Sequence, residues 1–596
     1  MSLRIAALVK QIPAFDEMTL GADGRLVREG LDLEMNPYCR RAVAEAVHLA
    51  AEHGGEVVVL TLGPSTADDT LREAIAWGIE RGVSIRGVLV SDQAFAGSDT
   101  LATAKALARA LEREGEFDLV LTGRNSVDAD TGQVGPELAE LLDLPFATGV
   151  RHLSVSDRIA DVRCEHDDGW MQARVALPAV LSTAERLIDP CKVDPEGRAA
   201  VDPELITLVT AADLGHGRWG TAASPTSVGP VRVIESARLR LTDPDDPIDV
   251  QVARAVDLLI ERSALDDAGD GPGMGGVVPA SRVDATRTIA VLVEPSRAAL
   301  TRELLGAAAQ IDGARVTGFV TGDADPRELG SWGADEVVAA DGALVEEDIA
   351  RAVVGWATVA EPWAIIAPST AWGREVASRA AAALEAGLTG DAIDLELDGD
   401  RLLAWKPAFG GQLIAAISAA SPIQMATVRP GMLPHFAPRT HTAAVTAQDW
   451  STRGRVEILA RTRDDDIDVL AEASAVIGVG QAVPPDEYPA LQPLAEALGA
   501  ELAATRKVTD KGWMPRSRQV GITGRSITPR IYVSIGASGK FNHMIGVRAA
   551  ETVIAVNSAP DALVFQGADV GIVADWRAAL PLLVEAIEKA RAGSAG

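Results

Sequence analysis

Short apolar runs alternate with segments of helical periodicity from the start of the chain. The runs RIAALV, EVVVLTL, GVLV and FDLVLTG are each about one strand long. Between them, helical patterns occur near Arg40 to His53, through Trp77 and from Thr100 onward. This alternation predicts βαβ units and a mostly parallel sheet. Because ligands bind outside the carboxyl ends of such strands, we expect the binding residues there.

The composition changes between about Ser263 and Arg287. The segment ALDDAGDGPGMGGVVPASRVDAT is rich in Gly, Asp, Pro and Ala and has no period, which is typical of a flexible tether without packing of its own. The apolar run TIAVLVE follows it, and RTRDDDIDVL later separates two Ala-rich regions. We predict an α/β protein with mostly parallel, doubly wound sheets of the Rossmann-like or adenine-nucleotide-hydrolase-like kind. Its first, second and third domains are predicted at residues 1–262, 287–465 and 466–596, with a linker at 263–286.

The charge balance and the cysteine pattern exclude several function classes. The 85 acidic and 55 basic residues leave a formal charge of -30, which repels nucleic acid and anionic membranes. The N-terminal apolar run has no signal-peptide cleavage site, and no uncharged stretch is typical of a membrane span, so we expect a cytoplasmic protein without membrane insertion. Cys39, Cys164 and Cys191 lack the paired spacing of zinc or iron–sulfur sites. No metal is expected, and redox chemistry would need an organic cofactor.

The segment LVLTGRNSVDADTGQVGPELAELL predicts an anion-binding loop. A strand (Leu119 to Thr122) precedes a loop rich in Asp, Gly, Ser and Thr (Gly123 to Gly135), and a helix is expected after Pro136. Proline at the start of a helix, with polar residues before it, is typical of a helix N-terminus that binds an anion. A well-capped helix behind a surface loop explains the same spacing, so both interpretations stay open at this point.

The region from Thr505 to Asp575 predicts a nucleotide site. It reads as two strands that each end in a turn of small residues (Gly521 to Gly524, Gly536 to Gly539), followed by a strand that ends at Asn557. Small residues let backbone N–H groups approach a phosphate. The nearby side chains that can bond a polar heterocycle are Arg506, Thr523, Asn542 and His543.

These segments resemble the electron-transfer flavoprotein family. TRKVTDKGWMPRSRQVGITGRS, PRIYVSIGASGKFNHM, VIAVNSAP and GADVGIVAD are similar to the FAD domain of the α subunit, and residues 289–434 resemble its other domain. LRIAALVKQIP, MNPYCRRAVAEAVHLA, TLGP, WGIERG and the Gly123 to Gly135 loop resemble the β subunit over residues 3–233. The resemblance implies a β-like half followed by an α-like half in one chain.

In the α-like half, the resemblance implies an FAD site. Arg506 matches the arginine beside the flavin ring, Thr523 the hydroxyl that bonds flavin N5, and His543 the imidazole near O2. Further residues of the site, which match the turns and the groups that hold the ribityl, pyrophosphate and adenosine parts, are Gln519, Gly521, Gly524, Ser538, Gly539, Asn542, Asn557 and Asp575. One departure is Gln481, which stands where the family usually has an arginine for the FAD phosphates. FAD binding should be weaker unless another group, such as Arg525, compensates for this charge.

In the β-like half, the resemblance implies a second nucleotide, which is AMP in ordinary carriers and a second FAD in electron-bifurcating members. The matching positions are Leu8, Asn36, Gly123, Asp128, Asp130, Thr131, Gln133, Val134 and Gly135. Phe15 falls where the family often has an aromatic residue near the flavin, although a core phenylalanine explains it equally. TGQVGPE and MATVRPG are most similar to bifurcating members. The family's basic docking segment is replaced by DPCKVDPEGRAAVDP, so the partner is not carried over.

The function implied by the resemblance is electron transfer. The FAD would accept electrons from a flavin dehydrogenase and pass them, through its semiquinone and hydroquinone, to a quinone reductase or another redox acceptor. One alternative is a bifurcating oxidoreductase that oxidises NADH with two FAD, so whether the chain is an enzyme stays open. Another is a flavin-free adenine-nucleotide-binding module. The number of flavins per chain separates the three.

Overall fold

A computed structural model describes residues 2–13, 32–167, 169–233, 238–266, 276–282, 284–408, 413–463, 469–470, 473–521, 524–548 and 550–594. Strands and helices alternate along these residues, and three sheets consist mainly of parallel strands. The predicted α/β class is confirmed.

The strands are numbered in chain order. They are β1 (Arg4–Leu8), β2 (Gln11–Pro13), β3 (Leu33–Met35), β4 (Glu56–Leu62), β5 (Ser84–Val90), β6 (Leu119–Gly123), β7 (Phe146–Ser156), β8 (Ile159–Glu165), β9 (Gly169–Ala176), β10 (Ala179–Thr183), β11 (Ile206–Val209), β12 (Thr226–Val233), β13 (Arg287–Leu292), β14 (Ala314–Val320), β15 (Glu336–Ala339), β16 (Ala364–Pro368), β17 (Gly387–Ala392), β18 (Asp394–Asp398), β19 (Arg401–Ala408), β20 (Leu413–Ala419), β21 (Gln424–Val428), β22 (Ala444–Ala447), β23 (Val456–Arg463), β24 (Ala475–Val479), β25 (Ala500–Ala504), β26 (Ile531–Ile535), β27 (Thr552–Asn557) and β28 (Val570–Val573).

The helices are numbered in the same way. They are α1 (Pro37–His53), α2 (Asp68–Glu80), α3 (Thr100–Glu114), α4 (Val134–Leu141), α5 (Pro195–Ala199), α6 (Ile248–Glu261), α7 (Ala298–Gln310), α8 (Pro326–Trp332), α9 (Glu346–Ala360), α10 (Ala371–Leu384), α11 (Gln492–Leu498), α12 (Arg506–Asp510), α13 (Phe541–Met544) and α14 (Trp576–Ser594). Within the described ranges, none of them is long and apolar enough to cross a membrane.

The first sheet has the order β11-β5-β4-β1-β6-β10-β7-β8-β9-β23. Strand β4 lies inside it, paired in parallel with β1 and β5, and its run EVVVLTL is almost wholly buried. Apolar runs of this kind suit a parallel sheet that is covered on both faces. The strand order reverses between β1 and β6, so the loops after these strands border a crevice where such sheets bind ligands.

The second and third sheets each contain a comparable crevice. The second sheet has the order β17-β21-β16-β13-β14-β15-β22, and its central strands repeat the arrangement of the first, with the reversal between β13 and β16. The third sheet has the order β25-β24-β26-β27-β28, and its pairs are all parallel. The reversal lies between β24 and β26, which places this crevice at the carboxyl ends of those two strands.

The first and second domains each contribute a strand to the other. Strand β23 follows the second sheet in the chain but pairs antiparallel with β9 of the first sheet. In return, β12 of the first domain pairs antiparallel with β20 in a four-stranded sheet that also contains β18 and β19. This exchange of strands buries backbone groups of both domains in shared ladders.

The predicted linker packs at both of its ends, so the expectation that it contributes no packing is wrong there. Ala264 and Leu265 are buried with α6 against the third sheet, and Val278 is buried in the core of the second domain. The Val278 N–H donates to the carbonyl oxygen of Ala437 over 2.9 Å. The predicted domain limits stay a prediction. Helix α6 lies before the linker in the sequence, yet it packs on the third domain.

Candidate functional site

The turn from Gly536 to Gly539 follows β26 at the crevice of the third sheet. Gly536 and Gly539 have φ values of 65° and 71°, which favour glycine. A Cβ atom on Gly539 would lie 2.0 Å from the backbone nitrogen of Val564, so the turn requires glycine there. Ser538 lies exposed within the turn, and Gln481 lies exposed after β24 on the other side of the crevice. Small residues in this position fit the phosphates of a dinucleotide.

The chain closes tightly between Gly521 and Arg525, and the predicted strand before Gly521 is wrong. Residues 519 and 520 form only isolated bridges. The Gly521 N–H donates to the Arg525 carbonyl oxygen over 2.9 Å, and the Arg525 N–H donates back to that of Gln519 over 2.8 Å. These bonds close the loop on itself instead of extending a ladder. Thr523, the predicted N5 partner, lies outside the described residues.

His543 is buried, and both of its ring nitrogens have partners. Nδ1 lies 3.1 Å from the Val520 carbonyl oxygen, and Nε2 lies 2.7 Å from the Tyr532 hydroxyl. A neutral ring that donates from Nδ1 and accepts at Nε2 satisfies both contacts. Burial lowers the pKa of His543 to about 4, against which the bond to Val520 acts. The imidazole is therefore neutral at pH 7. To donate a hydrogen bond to a flavin carbonyl, it would have to give up its bond to Val520 or to Tyr532.

Arg506 begins α12 and is exposed. Its Nε pairs with Asp510 Oδ2 at 3.3 Å, one helical turn along. Its charge also acts across the domain boundary, since it contributes to lowering the pKa of Glu185 in the first domain. The guanidinium therefore lies near the junction of the first and third domains.

The other predicted residues of the third domain lie around the same sheet edge. Gln519 is buried and accepts from Thr509 Oγ1 over 2.6 Å. Asn557 ends β27 and donates from Nδ2 to the Ala537 carbonyl oxygen over 2.8 Å, which fixes the glycine turn. Asp575, exposed after β28, accepts the Arg577 N–H over 2.8 Å at the start of α14. Asn542 lies in α13, and its side chain is outside the description.

The crevice of the first sheet brings together three predicted residues. Leu8 ends β1 and Gly123 ends β6. Asn36, which is 1% exposed, donates from Nδ2 to the Asn125 carbonyl oxygen over 2.9 Å and accepts the Val127 N–H over 3.3 Å. These bonds tie the loop after β6 to the start of α1. Phe15, also predicted here, lies outside the described residues.

The acidic residues of this loop are paired within the protein. Lys10 Nζ lies 2.8 Å from Asp128 Oδ2. Asp130 has a φ of 50°, and burial, followed by the neighbouring carboxylate of Asp391, raises its pKa. From the second domain, Lys406 Nζ donates to the Ala129 carbonyl oxygen over 2.7 Å. The loop is therefore held from both domains.

Helix α4 begins at Val134, two residues before the predicted Pro136. Gln133 precedes it, accepts from Thr100 Oγ1 over 2.9 Å, and donates to the Leu388 carbonyl oxygen of the second domain over 3.3 Å. Thr131 also approaches the second domain, because a Cβ atom on Gly390 would lie 3.2 Å from it. Gly135 is buried, and a Cβ atom there would lie 3.1 Å from the Phe146 ring.

Orphaned polar atoms line the strand ends beside this crevice. Within the described residues, Thr61 Oγ1 in β4, Thr122 Oγ1 in β6 and Asn125 Oδ1 are buried without a hydrogen-bond partner. Buried polar groups of native proteins are normally paired with protein, water or ligand. These two hydroxyls and the amide oxygen therefore fit a polar ligand such as a nucleotide.

A cavity lies where the three domains meet. Its lining residues in the first domain are Tyr38, Arg124, Asn125, Asp130, Asp167 and Glu185, and those in the third domain are Arg516 and residues 524–528. The second domain contributes residues around the β13–β16 reversal, including Arg297, Thr370, Arg374, Asp391 and Arg429. Of the residues singled out from the sequence, Asp130, Gly524 and Arg525 line it. The other lining residues were missed. Tyr38 follows the predicted Asn36 by two positions, so the expectation that binding residues lie at strand ends could have identified it.

Buried ion pairs hold this junction together. Asp167 accepts the Ala371 N–H over 2.6 Å and so caps α10 of the second domain. Burial alone would raise the pKa of Asp167, but Arg124 and Arg374 lower it to about 2. Asp391 pairs with Arg429 and, at 3.4 Å, with Arg374. Arg525, the expected compensating charge for the FAD phosphates, donates instead to the carbonyl oxygens of Ser517 and Asp167.

Two family models cover most of the chain. The electron transfer flavoprotein domain matches residues 23–210 and 292–452, which is more than half of the sequence. The chain belongs to the electron transfer flavoprotein family. The electron transfer flavoprotein FAD-binding domain matches residues 469–548, which include the Gly521 to Gly524 loop and the Gly536 to Gly539 turn.

Curated relatives match the two parts of the chain separately. The electron transfer flavoprotein subunit beta of Thermoanaerobacterium thermosaccharolyticum is 36% identical over 230 residues, which are 38% of this chain and 86% of the relative. The subunit alpha of the same organism is 34% identical over 275 residues, or 44% of this chain and 83% of the relative. The CarD subunit of the caffeyl-CoA reductase-Etf complex of Acetobacterium woodii is 35% identical over 230 residues, with 38% and 86% covered. The chain is thus a fused electron transfer flavoprotein, β-like part first.

Proposed function

We propose that this flavoprotein is an electron carrier that takes electrons from a flavin dehydrogenase and delivers them to a quinone reductase or another redox acceptor. The observation that carries the proposal is the Gly536 to Gly539 turn at the crevice of the third sheet, which lies inside a matched FAD-binding domain. When bound, FAD would supply one- and two-electron transfer.

The residues of this chain would then hold and tune the cofactor. The glycine turn and Asn557 would hold its phosphates and sugar, and Arg506 would stabilise negative charge on the ring. Residues of the first domain, among them Tyr38, would close the cavity beside Gly524 and exclude water from it. The neutral His543 would support the loop through its bond to Val520.

The test is anaerobic reduction of the purified chain. We expect bound FAD, bleached by dithionite and recovered when a one-electron acceptor dye is added. A colourless chain that does not take up FAD would overturn the carrier function and favour a flavin-free nucleotide-binding module.

We also propose a second adenine nucleotide in the crevice of the first sheet. The orphaned hydroxyls of Thr61 and Thr122 and the loop from Asp128 to Gly135 support it. FAD is favoured over AMP by the TGQVGPE and MATVRPG segments, and a two-FAD chain that is reduced by NADH would be an electron-bifurcating oxidoreductase. Flavin bleaching by NADH alone would support this second function, and an unchanged spectrum would count against it.

A further inference from the structure

Glu185 of the first domain lines the cavity opposite Arg516 of the third domain. The residue is 7% exposed, and its Oε1 lies 3.7 Å from Arg516 Nη2, in the turn that leads to Gln519. Glu185 Oε2 and Arg124 Nη1 are buried atoms with no hydrogen-bond partner among the described residues, and both side chains line the cavity. Buried atoms of this kind indicate a missing polar partner.

The carboxylate is ionised and stands among cations. Burial alone would raise the pKa of Glu185, but the guanidinium groups of Arg516, Arg124 and Arg506 lower it to about 2. The same Arg506 is the cation expected beside the flavin ring. A negative charge on Glu185 therefore competes with negative charge on a bound flavin for one set of guanidinium groups.

The two unpaired atoms also match the chemistry of a flavin edge. The pyrimidine part of a flavin offers an N–H donor beside carbonyl acceptors. A carboxylate oxygen and a guanidinium N–H are the complementary acceptor and donor.

We propose that Glu185 is a first-domain component of the flavin site and lowers the reduction potential of the flavin that the third domain holds. The inference rests on the proposed FAD site. Because Glu185 belongs to the first domain, contact between the domains then sets the potential, and a movement that separates them would raise it.

The experiment compares reduction potentials of the intact chain by titration against reference dyes. Glu185→Gln keeps the shape of the side chain and removes its charge. We expect the reduction potential of the flavin to rise, so that the equilibrium constant for taking up an electron increases on the order of tenfold. Glu185→Asp, which keeps the charge, should stay near the wild type. Glu73→Gln is the matched control, because Glu73 is also a buried carboxylate of the first domain and lies 3.3 Å from Arg40, but it does not line the cavity.

The outcomes separate the inference from the function on which it rests. Wild-type protein without flavin would overturn both. Flavin bound with equal potentials in the wild type and in Glu185→Gln, or equal shifts in Glu185→Gln and Glu73→Gln, would overturn the role of Glu185 alone. Should the glutamine variant fail to fold, Glu185→Met replaces the buried charge with an apolar group of similar length, and the same rise is expected.

Discussion

Lys406 of the second domain donates a hydrogen bond from Nζ to the Ala129 carbonyl oxygen of the first-domain loop, over 2.7 Å. The lysine is 8% exposed and lies among the charges of Asp391, Asp130 and Arg429. This contact joins the predicted second nucleotide site to the domain that follows it.

Replacing Lys406 with methionine should destabilise the protein by about 1–3 kcal/mol, because it leaves the partly buried Ala129 carbonyl oxygen without its charged donor. Urea unfolding measures the change. Lys105→Met is the matched control, since Lys105 also bridges the domains but pairs at 3.0 Å with a Glu385 side chain that is 77% exposed. Equal losses of stability in the two variants would contradict the role of the buried lysine.

Arg506→Ala should leave stability nearly unchanged, because the side chain is 48% exposed and its partner Asp510 is 40% exposed. The one-electron-reduced form of the bound flavin should become less stable, since the cation that we propose to lie beside the ring is lost. Stepwise dithionite reduction, followed by absorbance, compares it with the wild type and with Lys507→Ala, the neighbouring exposed cation. An unchanged yield of the one-electron form in Arg506→Ala would remove this arginine from its assigned role.

Gly132→Leu should expel the nucleotide of the first-domain crevice and spare the flavin of the third domain. Gly132 has a φ of 65°, and leucine in this conformation costs about 1–2 kcal/mol and distorts the loop. Gly54→Leu imposes the same strain at a φ of 68°, in a place where a Cβ atom meets nothing within 4 Å. Nucleotide extraction from both variants is the measurement. If Gly132→Leu retains the second nucleotide as well as Gly54→Leu does, the loop assignment is wrong.

A cut between Asp266 and Gly276 should leave two fragments that stay together with flavin bound. The exchanged strands β12 and β23, and the packing of α6 on the third sheet, hold the fragments independently of the tether. An inserted protease site and size-exclusion chromatography test this. Separation of the fragments under native conditions would show that the intact tether is required.

His543 should make stability depend on pH. Its pKa is about 4 in the folded chain and 6.5 in the reference state, so below pH 6.5 the unfolded chain binds a proton that the folded chain does not. The free energy of unfolding should therefore fall as the pH falls from 6.5 to 4, by up to about 3 kcal/mol. In His543→Gln, this part of the pH dependence of the free energy of unfolding should be lost. In His48→Gln, where the substituted residue is exposed, it should remain. Identical pH slopes in all three proteins would refute the buried neutral state.

Local patterns predicted the elements that are defined by their own residues. The β-branched run of β4 and the helical period of α3 give strand and helix without reference to distant contacts. The turn from Gly536 to Gly539 was recognisable because its glycines serve a local backbone conformation.

Long-range packing decides the features that the sequence did not reveal. Tyr38 and Glu185 of the first domain and Arg516 of the third lie far apart in the sequence and meet only because the domains close on one cavity. The sequence does not reveal the pairing of β23 with β9 either, because the alternation of residues along β23 identifies a strand but not its partner. The strand expected before Gly521 failed because Gly521 and Arg525 bond within their own loop.

The count of extracted nucleotides per chain tests the proposed function most directly. Denaturation of the freshly purified chain, followed by chromatography of the released FAD and AMP, gives both numbers against the protein concentration. We predict FAD from the third domain together with a second adenine nucleotide from the first-domain crevice, either FAD or AMP. A first-domain crevice that is empty in the purified chain would contradict the loop assignment, and a chain that releases no FAD and cannot be reconstituted with it would contradict the electron-carrier function itself.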